Sequence, residues 1–214
     1  MPRVEIGVLL PTREAVMSGR VETAPLLRMA EQVEALGYDS VWVGDSLLAR
    51  PRFEPLTLLA AVAARTTRIK LGTAVLLPAL RHPLILAQLV ATVDRIAEGR
   101  VLLGVGIAPD SPAVRREFEA AGVPFAQRVG RLVESIDICR RLWTGEPVTF
   151  KGRYHTLTGA QLTPTPHRTA RMLPSASTSV AAAVRCPPAL PSRWSARHLR
   201  RRSPASPTTR RRFP

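Results

Sequence analysis

Four apolar segments, each leading into a polar or glycine-containing turn and then a helical pattern, occupy the first half of the chain. They cover residues 4–10, 40–43, 69–77 and 101–105. The last three are nearly continuous apolar runs, which are typical of strands buried on both faces of a parallel sheet. We therefore predict four parallel strands that are separated by helices.

Apolar residues at helical spacing predict helices over residues 23–36, 55–65, 83–97 and 127–143. Val133, Ile136, Ile138 and Leu142 are expected on the apolar side of the last helix. Residues 146–157 break this rhythm and predict a small hairpin around Lys151 and Gly152. The pattern predicts an α/β fold: a partial (β/α)8 TIM-type barrel of about four βα units with a hairpin insertion.

The composition changes at residue 168. Residues 168–214 contain 11 Arg, seven Pro, and no Gly, Lys, Asp or Glu. High positive charge with few bulky apolar residues predicts a disordered tail. We therefore divide the chain into residues 1–167, one barrel-type unit, and residues 168–214, a basic tail. Because acids and glycine disappear so abruptly, we also consider that the tail is translated out of frame.

Charge and cysteine content narrow the class of protein. The total net charge is +15, but residues 1–167 hold 20 basic and 16 acidic residues, a net charge of +4. Cys139 and Cys186 form no Cys-x-x-Cys motif, which argues against a disulfide framework or a structural zinc site. No apolar run approaches the ~20 residues of a membrane span, and the start lacks a signal-peptide core. We expect a cytoplasmic protein.

Ligands of parallel α/β folds bind at the carboxyl ends of the strands, so the residues that follow each strand are the candidates. Pro11 follows the first strand, and Asp45 and Ser46 follow the second. Asp45 is chemically the most capable, because a carboxylate there can accept a hydrogen bond or act as a general base. The alternative is a turn or helix cap, since Gly-Asp-Ser is favourable turn chemistry.

Gly104 and Gly106 follow the fourth strand, where glycines let a flat ligand or phosphate approach the backbone. No third glycine follows at dinucleotide spacing, so a tight strand exit without a ligand is an equal alternative. His82 precedes Pro83 and is expected either to bind substrate or to cap the helix. Motifs for nucleophilic triads, phosphoryl transfer and zinc catalysis are absent from the sequence, and no metal site is predicted.

Several segments together resemble the luciferase-like monooxygenase family, which includes flavin-dependent monooxygenases and oxidoreductases that use coenzyme F-420. They are Ala-Leu-Gly-Tyr-Asp-Ser-Val-Trp-Val-Gly-Asp at 35–45, Ile-Lys-Leu-Gly-Thr-Ala-Val-Leu-Leu-Pro at 69–78, Arg-His-Pro at 81–83, and Arg-Val-Leu-Leu-Gly-Val-Gly at 100–106. The resemblance spans residues 4–166, the N-terminal half of the family's barrel.

This resemblance implies a barrel whose mouth holds reduced flavin (FMN) or coenzyme F-420. It implies hydride transfer or oxygen activation on a small-molecule substrate. A non-proline cis peptide is expected at Ala74–Val75 or one residue earlier, with Ala74, Val75, Gly104 and Gly106 at the cofactor. Asp45 is the expected catalytic residue. Pro11, Ser46 and His82 are expected at the substrate, although Ser46 stands where many members have histidine.

Two rival interpretations stay open at this stage. A different α/β binder would show a doubly wound sheet with a switch in strand order. A nucleic-acid-associated α/β protein would use the basic C-terminal tail, but this tail lacks interleaved aromatic residues and a recognition motif, so a nucleic-acid partner is not expected. For a half barrel we expect exposed edge strands, marginal stability and weak or absent cofactor binding. A homodimer is one possible assembly.

Overall fold

A computed structural model describes residues 4–167. In chain order the elements are β1 (Gly7–Leu9), α1 (Thr12–Met17), α2 (Ala24–Ala35), β2 (Ser40–Val43), α3 (Pro55–Ala63), β3 (Lys70–Thr73), α4 (Pro83–Ile96), β4 (Val101–Leu102), α5 (Pro112–Ala120), α6 (Arg128–Leu142), β5 (Val148–Lys151) and β6 (Thr156–Ala160). Short 3₁₀ turns at Pro78–Leu80 and Phe125–Gln127 precede α4 and α6. The predicted basic tail lies outside the described residues.

The first four strands form one parallel sheet in the order β1-β2-β3-β4. Val8 is paired with Val41, Val41 with Leu71, and Leu71 with Val101. The predicted parallel βα units are therefore confirmed. The consecutive order contains no switch point among these strands, which contradicts the doubly wound alternative.

The helix-covered face of the sheet holds the main core. Val41, Val43 and Leu71 are completely buried there. Leu56, Leu59 and Val62 of α3 and Leu86 and Val90 of α4 belong to the same cluster. Burial of side chains of this size stabilises a fold by about 1.5–3 kcal/mol each, so this layer holds the helices on the sheet.

One indole ring covers much of the opposite face of the sheet. Trp42 lies across Gly7 and Gly72, and a Cβ atom at either glycine would overlap the ring. The indole Nε1 donates a hydrogen bond to Ser40 Oγ over 2.8 Å. Glycine at these two positions therefore lets a large flat side chain cover three neighbouring strands.

The boundaries differ from the expectations in several places. β1, β3 and β4 are shorter than predicted, although an isolated parallel bridge between Leu76 and Val105 extends the pairing of the last two. Helix α1 and helix α5 were not predicted; Ser111 caps α5 by accepting a hydrogen bond from the Val114 N–H. Val133 is 60% exposed and does not lie on the buried side of α6, contrary to the expectation.

The predicted hairpin is present and packs along α6. Strands β5 and β6 are antiparallel. The Glu134 carboxylate of α6 accepts hydrogen bonds from the N–H groups of Arg153, Tyr154 and His155 at the tip. A single side chain of α6 therefore satisfies the polar backbone of the turn. In the described part of the chain no helix is long and apolar enough to cross a membrane.

Arg100 joins the end of α3 to the start of β3. Its guanidinium donates to the carbonyl oxygens of Ala63, Thr66 and Ile69 and to the Thr66 hydroxyl, at 2.9–3.1 Å. The Ala63 carbonyl belongs to the last turn of α3, and the Thr66 and Ile69 carbonyls lie in the segment between α3 and β3.

We expect Arg100→Ala to lower the free energy of unfolding by about 2–4 kcal/mol, because several buried acceptors lose a charged donor. Urea unfolding of the full chain, followed by circular dichroism, measures this change. Arg28→Ala removes an exposed charge from α2 and should change stability by less than about 0.5 kcal/mol. Equal effects of the two substitutions would contradict the capping role.

Candidate functional site

The carboxyl ends of the four parallel strands meet at one edge of the sheet. Pro11 follows β1, Asp45 and Ser46 follow β2, Ala74 and Val75 follow β3, and Gly104 and Gly106 follow β4. The predicted residues are therefore gathered at one edge, as the parallel order requires. His82 begins α4 beside this edge; it is exposed, and its Nδ1 accepts a hydrogen bond from the Leu84 N–H. His82 therefore caps the helix, and its substrate contact stays a prediction.

Asp45 is buried in a network of charged groups. Its side chain is 1% exposed and accepts from both terminal nitrogens of Arg81, at 2.5 and 3.1 Å. Oδ2 also accepts from the Leu77 N–H at 2.9 Å. Arg81 reaches Glu54 at 3.1 Å, and Glu54 caps α3 by accepting from the Thr57 N–H. The network ties the end of β2 to the segment after β3 and to the start of α3.

Electrostatics follow from this arrangement. Burial by itself lowers the pKa of Arg81, but the hydrogen bonds and charges of Asp45 and Glu54 outweigh it and raise the pKa. Both carboxylate oxygens of Asp45 are already occupied by donors. A carboxylate held in this way is well suited to position its neighbours. The geometry therefore favours a positioning role for Asp45, and its catalytic role stays a prediction.

The segment after β3 contains a cis peptide between Ala74 and Val75, which is the bond expected from the resemblance. The two glycines after β4 pack directly on this segment. A Cβ at Gly106 would lie 2.6 Å from Val75 Cγ2, and one at Gly104 would overlap the Thr73 carbonyl oxygen. Close packing between β4 and β3 thus already requires glycine at both positions, before any ligand is considered.

Ser46 is held by a residue that the sequence did not single out. Its hydroxyl donates to the buried Glu117 carboxylate of α5 at 2.8 Å. The same carboxylate oxygen accepts from the N–H groups of Leu47, Leu48 and Ala49. Glu117 therefore fixes the loop after β2. It lies 71 residues from Ser46 in the chain, so no local sequence pattern could have identified it.

Arg52 places a cation at the same edge. Its guanidinium packs on Gly44, where a Cβ would overlap it. Burial, followed by the charge of Arg13, lowers the pKa of Arg52, although Glu14 and Asp45 act in the opposite direction. The ends of β1 and β2 therefore present polar side chains at this edge, whereas the ends of β3 and β4 present mainly backbone and glycine.

A consecutive parallel sheet with helices on its outer face and polar residues at its carboxyl edge is the architecture of the first half of a (β/α)8 enzyme barrel. The chain matches the model of the luciferase-like monooxygenase family over residues 4–187, and it belongs to that family.

Similar proteins agree with this assignment. An F420-dependent glucose-6-phosphate dehydrogenase of Amycolatopsis mediterranei is 40% identical over 147 residues, covering 64% of this chain and 43% of the dehydrogenase. The monooxygenase RslO1 of Streptomyces bottropensis superposes with a TM-score of 0.68 at 30% identity, covering 77% of this chain and 50% of that enzyme. An F420-dependent secondary alcohol dehydrogenase superposes with a TM-score of 0.67 at 27% identity, covering 80% and 52%. The chain thus spans about half the length of these relatives.

The Asp45–Arg81 pair gives a direct test of the network. We expect Arg81→Met to lower the free energy of unfolding by about 3–5 kcal/mol, because it leaves a buried carboxylate without its cation. The double variant, Arg81→Met with Asp45→Asn, should lose less unfolding free energy than the two single variants lose in sum. The difference, the coupling energy, should be about 1–3 kcal/mol. Urea unfolding of the four proteins in the cycle measures this coupling. Purely additive losses would refute the network.

Arg65→Met is the matched control for that cycle. Arg65 forms an ion pair with Glu31 at 2.6 Å, but both side chains are substantially exposed. Loss of such a surface pair should cost no more than about 1 kcal/mol.

Hydrogen exchange tests whether Glu117 fixes the loop after β2. We expect Glu117→Ala to speed exchange of the Leu47, Leu48 and Ala49 amides at least about tenfold, because their shared acceptor is lost. Glu119→Ala, on the exposed side of the same helix, should leave these amides unchanged. Unaltered protection in the Glu117 variant would show that the loop holds its conformation without the carboxylate.

Proposed function

We propose that the carboxyl edge of β1–β4 is one half of a binding site for a redox ring, with coenzyme F-420 favoured over FMN. The proposed reaction is hydride transfer between this ring and a small organic substrate. The proposal depends above all on one observation: four parallel strand ends bring Asp45, the Ala74–Val75 segment and Gly104 to a single edge. The identity shared with an F420-dependent dehydrogenase supports the deazaflavin.

The residues at this edge fit a planar ring. Ala74 and Val75 are half-buried, and among the described residues the Ala74 carbonyl and the Val75 N–H have no hydrogen-bond partner. The Thr12 hydroxyl after β1 is also without a partner in the described part of the chain. Apolar surface with a few unpaired polar groups is typical of cofactor sites. When bound, the coenzyme would supply the hydride chemistry.

The protein's own residues would bind and orient. We assign the backbone of Ala74 and Val75 to contact the ring, with Gly104 and Gly106 letting β4 pack closely behind this segment. Asp45 and Arg81 would hold the segment in place, which preserves the geometry on which hydride transfer depends.

The residues proposed to contact the substrate differ in which of their side-chain atoms are still available to it. The Ser46 hydroxyl is already bonded to Glu117 and to the Arg50 N–H, so it would shape the loop more than it would touch substrate. Pro11 offers only apolar surface. His82 uses Nδ1 as the helix cap, which leaves Nε2 as the atom available to a substrate.

Direct titration tests cofactor binding by the 214-residue chain. Because the chain spans about half the length of its relatives, we expect it to bind F-420 or FMN with weaker than micromolar affinity, as measured by isothermal titration. Micromolar affinity for either coenzyme would show that these strand ends suffice for a complete site.

A chimera tests the proposed function itself. Residues 4–167 would be joined to the remaining part of the Amycolatopsis mediterranei dehydrogenase. We expect the folded chimera to bind F-420 at least about tenfold more tightly than the 214-residue chain, since each tenfold gain needs about 1.4 kcal/mol of added contacts. Arg81→Met should reduce this gain, whereas Arg65→Met should not. A folded chimera that does not bind F-420 would refute the proposal.

Assembly and location also belong to this proposal. A homodimer is one possible assembly, and the sequence predicts a cytoplasmic location. Sedimentation equilibrium on the full chain measures the first, and fractionation of the producing cells measures the second.

A further inference from the structure

The guanidinium of Arg52 lies against the backbone at the carboxyl end of β2. Gly44 comes two residues after Trp42, so strand alternation places both on the same face of the sheet. A Cβ at Gly44 would overlap Nη1 of Arg52 and would lie 3.5 Å from the Ala74 carbonyl oxygen. The guanidinium is therefore packed on the Trp42 face, next to the segment to which we assign the ring contact.

Arg52 has no acid of its own. Within residues 4–167 its guanidinium forms no ion pair, and its Nε donates a hydrogen bond to the Arg50 carbonyl oxygen at 3.2 Å. The Asp45 carboxylate is already bonded by Arg81. The Arg52 side chain is half-buried, and burial is the main cause that lowers its pKa. A cation that is drawn out of water in this way is stabilised by an anion.

The loop that carries Arg52 is fixed on both sides of it. Before Arg52, the Glu117 carboxylate accepts three consecutive backbone N–H groups, and the Ser46 hydroxyl accepts the Arg50 N–H at 2.9 Å. After it, Glu54 caps α3 by accepting from the backbone. A cation that a fixed loop already holds in place loses little conformational freedom when it binds a ligand.

The charges around Arg52 favour an anion with a single negative charge. Arg13 and Arg50 act on Arg52 as like charges, whereas Glu14 and Asp45 act as opposite charges. Two acids near one unpaired guanidinium oppose a dianion more than a monoanion. The planar fork of an arginine also matches the two oxygens of a carboxylate.

We propose that Arg52 binds the carboxylate group of the substrate, so that the site takes small organic acids in preference to neutral molecules. The guanidinium would donate two parallel hydrogen bonds to the carboxylate oxygens. Since it adjoins the Ala74–Val75 segment, the acid group would lie within a few bonds of the carbon that exchanges hydride. The role of this acid as substrate rests on the proposed function, but binding of a carboxylate to Arg52 does not.

Indole NMR on the isotope-labelled full chain gives a test that is specific for position. The chain has three tryptophans, and Trp42→Phe assigns the resonance of Trp42. Trp143 is a buried control whose Nε1 donates to the Ala87 carbonyl oxygen at 3.0 Å. Trp194 lies in the basic tail and reports on anions that bind there.

We expect glycolate to shift the Trp42 indole saturably in the millimolar range and to leave Trp143 unchanged. Glycolamide has nearly the same shape without the charge and should not shift Trp42. The proposal is wrong if only Trp194 responds to glycolate, if no indole responds, or if glycolamide acts as strongly as glycolate.

Variants of two neighbouring arginines separate one guanidinium from general positive charge. We expect Arg52→Gln to weaken glycolate binding at least about tenfold, a change equal to about 1.4 kcal/mol. Arg50→Gln removes an exposed charge two residues away and keeps the carbonyl that holds Nε of Arg52. It should weaken binding less than about threefold, since it removes only a distant field. Equal effects of the two substitutions would overturn the proposal.

Gly44→Ala moves the guanidinium without removing any charge. The added Cβ displaces Nη1 of Arg52, the far end of a flexible side chain, while the Ala74 carbonyl oxygen stays at ordinary contact distance. We expect glycolate affinity to fall at least about threefold, and Gly44→Ala to add nothing further in the Arg52→Gln background. This variant keeps the test valid if Arg52→Gln does not fold. Unchanged affinity in Gly44→Ala would contradict the proposed position of the carboxylate.

Two comparisons complete the test. Inorganic phosphate that shifts Trp42 at lower concentration than glycolate would overturn the assignment of a carboxylate. Failure of the F-420 chimera together with a positive glycolate response would reject the proposed function and leave the carboxylate site standing. A chimera that binds F-420, with a Trp42 resonance that glycolate does not shift, would reject the carboxylate site alone.

Discussion

A buried carboxylate needs donors, and the geometry of the candidate site follows from how Asp45 obtains them. Arg81 supplies two and the Leu77 N–H supplies a third. Because Asp45 follows β2 while Leu77 and Arg81 lie between β3 and α4, satisfying one side chain fixes these two segments of the edge together. Glu54 extends this constraint to the start of α3. The placement of the Ala74–Val75 segment, and therefore of the proposed ring contact, depends on this pair.

The same physical solution recurs in the loops around the sheet. Glu34 accepts the N–H groups of Thr67, Arg68 and Ile69 before β3, as Glu117 does after β2 and Glu134 does at the hairpin tip. Burial tends to raise the pKa of Glu34, but the hydrogen bonds from Arg68, Ile69 and Thr67 outweigh it and lower the pKa. Each loop leaves several adjacent N–H groups without strand or helix partners, and one carboxylate satisfies them.

The regular elements could be predicted well because their signals are local. The bounds of β2 agree with the expectation, and α2, α3, α4 and α6 agree within one or two residues at each end. Local signals for α5 exist as well, with Ser111 as cap and Pro112 in the first turn, but they lie outside the four predicted helices. Short α1 carries too few residues for a periodic pattern. The glycines after β4 were found, but their contact with Val75 and the Thr73 carbonyl was not foreseeable from spacing alone.

Local sequence thus determined the order of strands and helices, their burial pattern and the family. These depend on residue spacing of two to four positions, which is visible in any short window. The tertiary structure alone decided which distant groups meet: Asp45 with Arg81, Glu117 with the loop after β2, and Arg131 with the ring of Tyr154. Such partners are brought together by chain folding over tens of residues, and side-chain direction and burial select them after the backbone is in place.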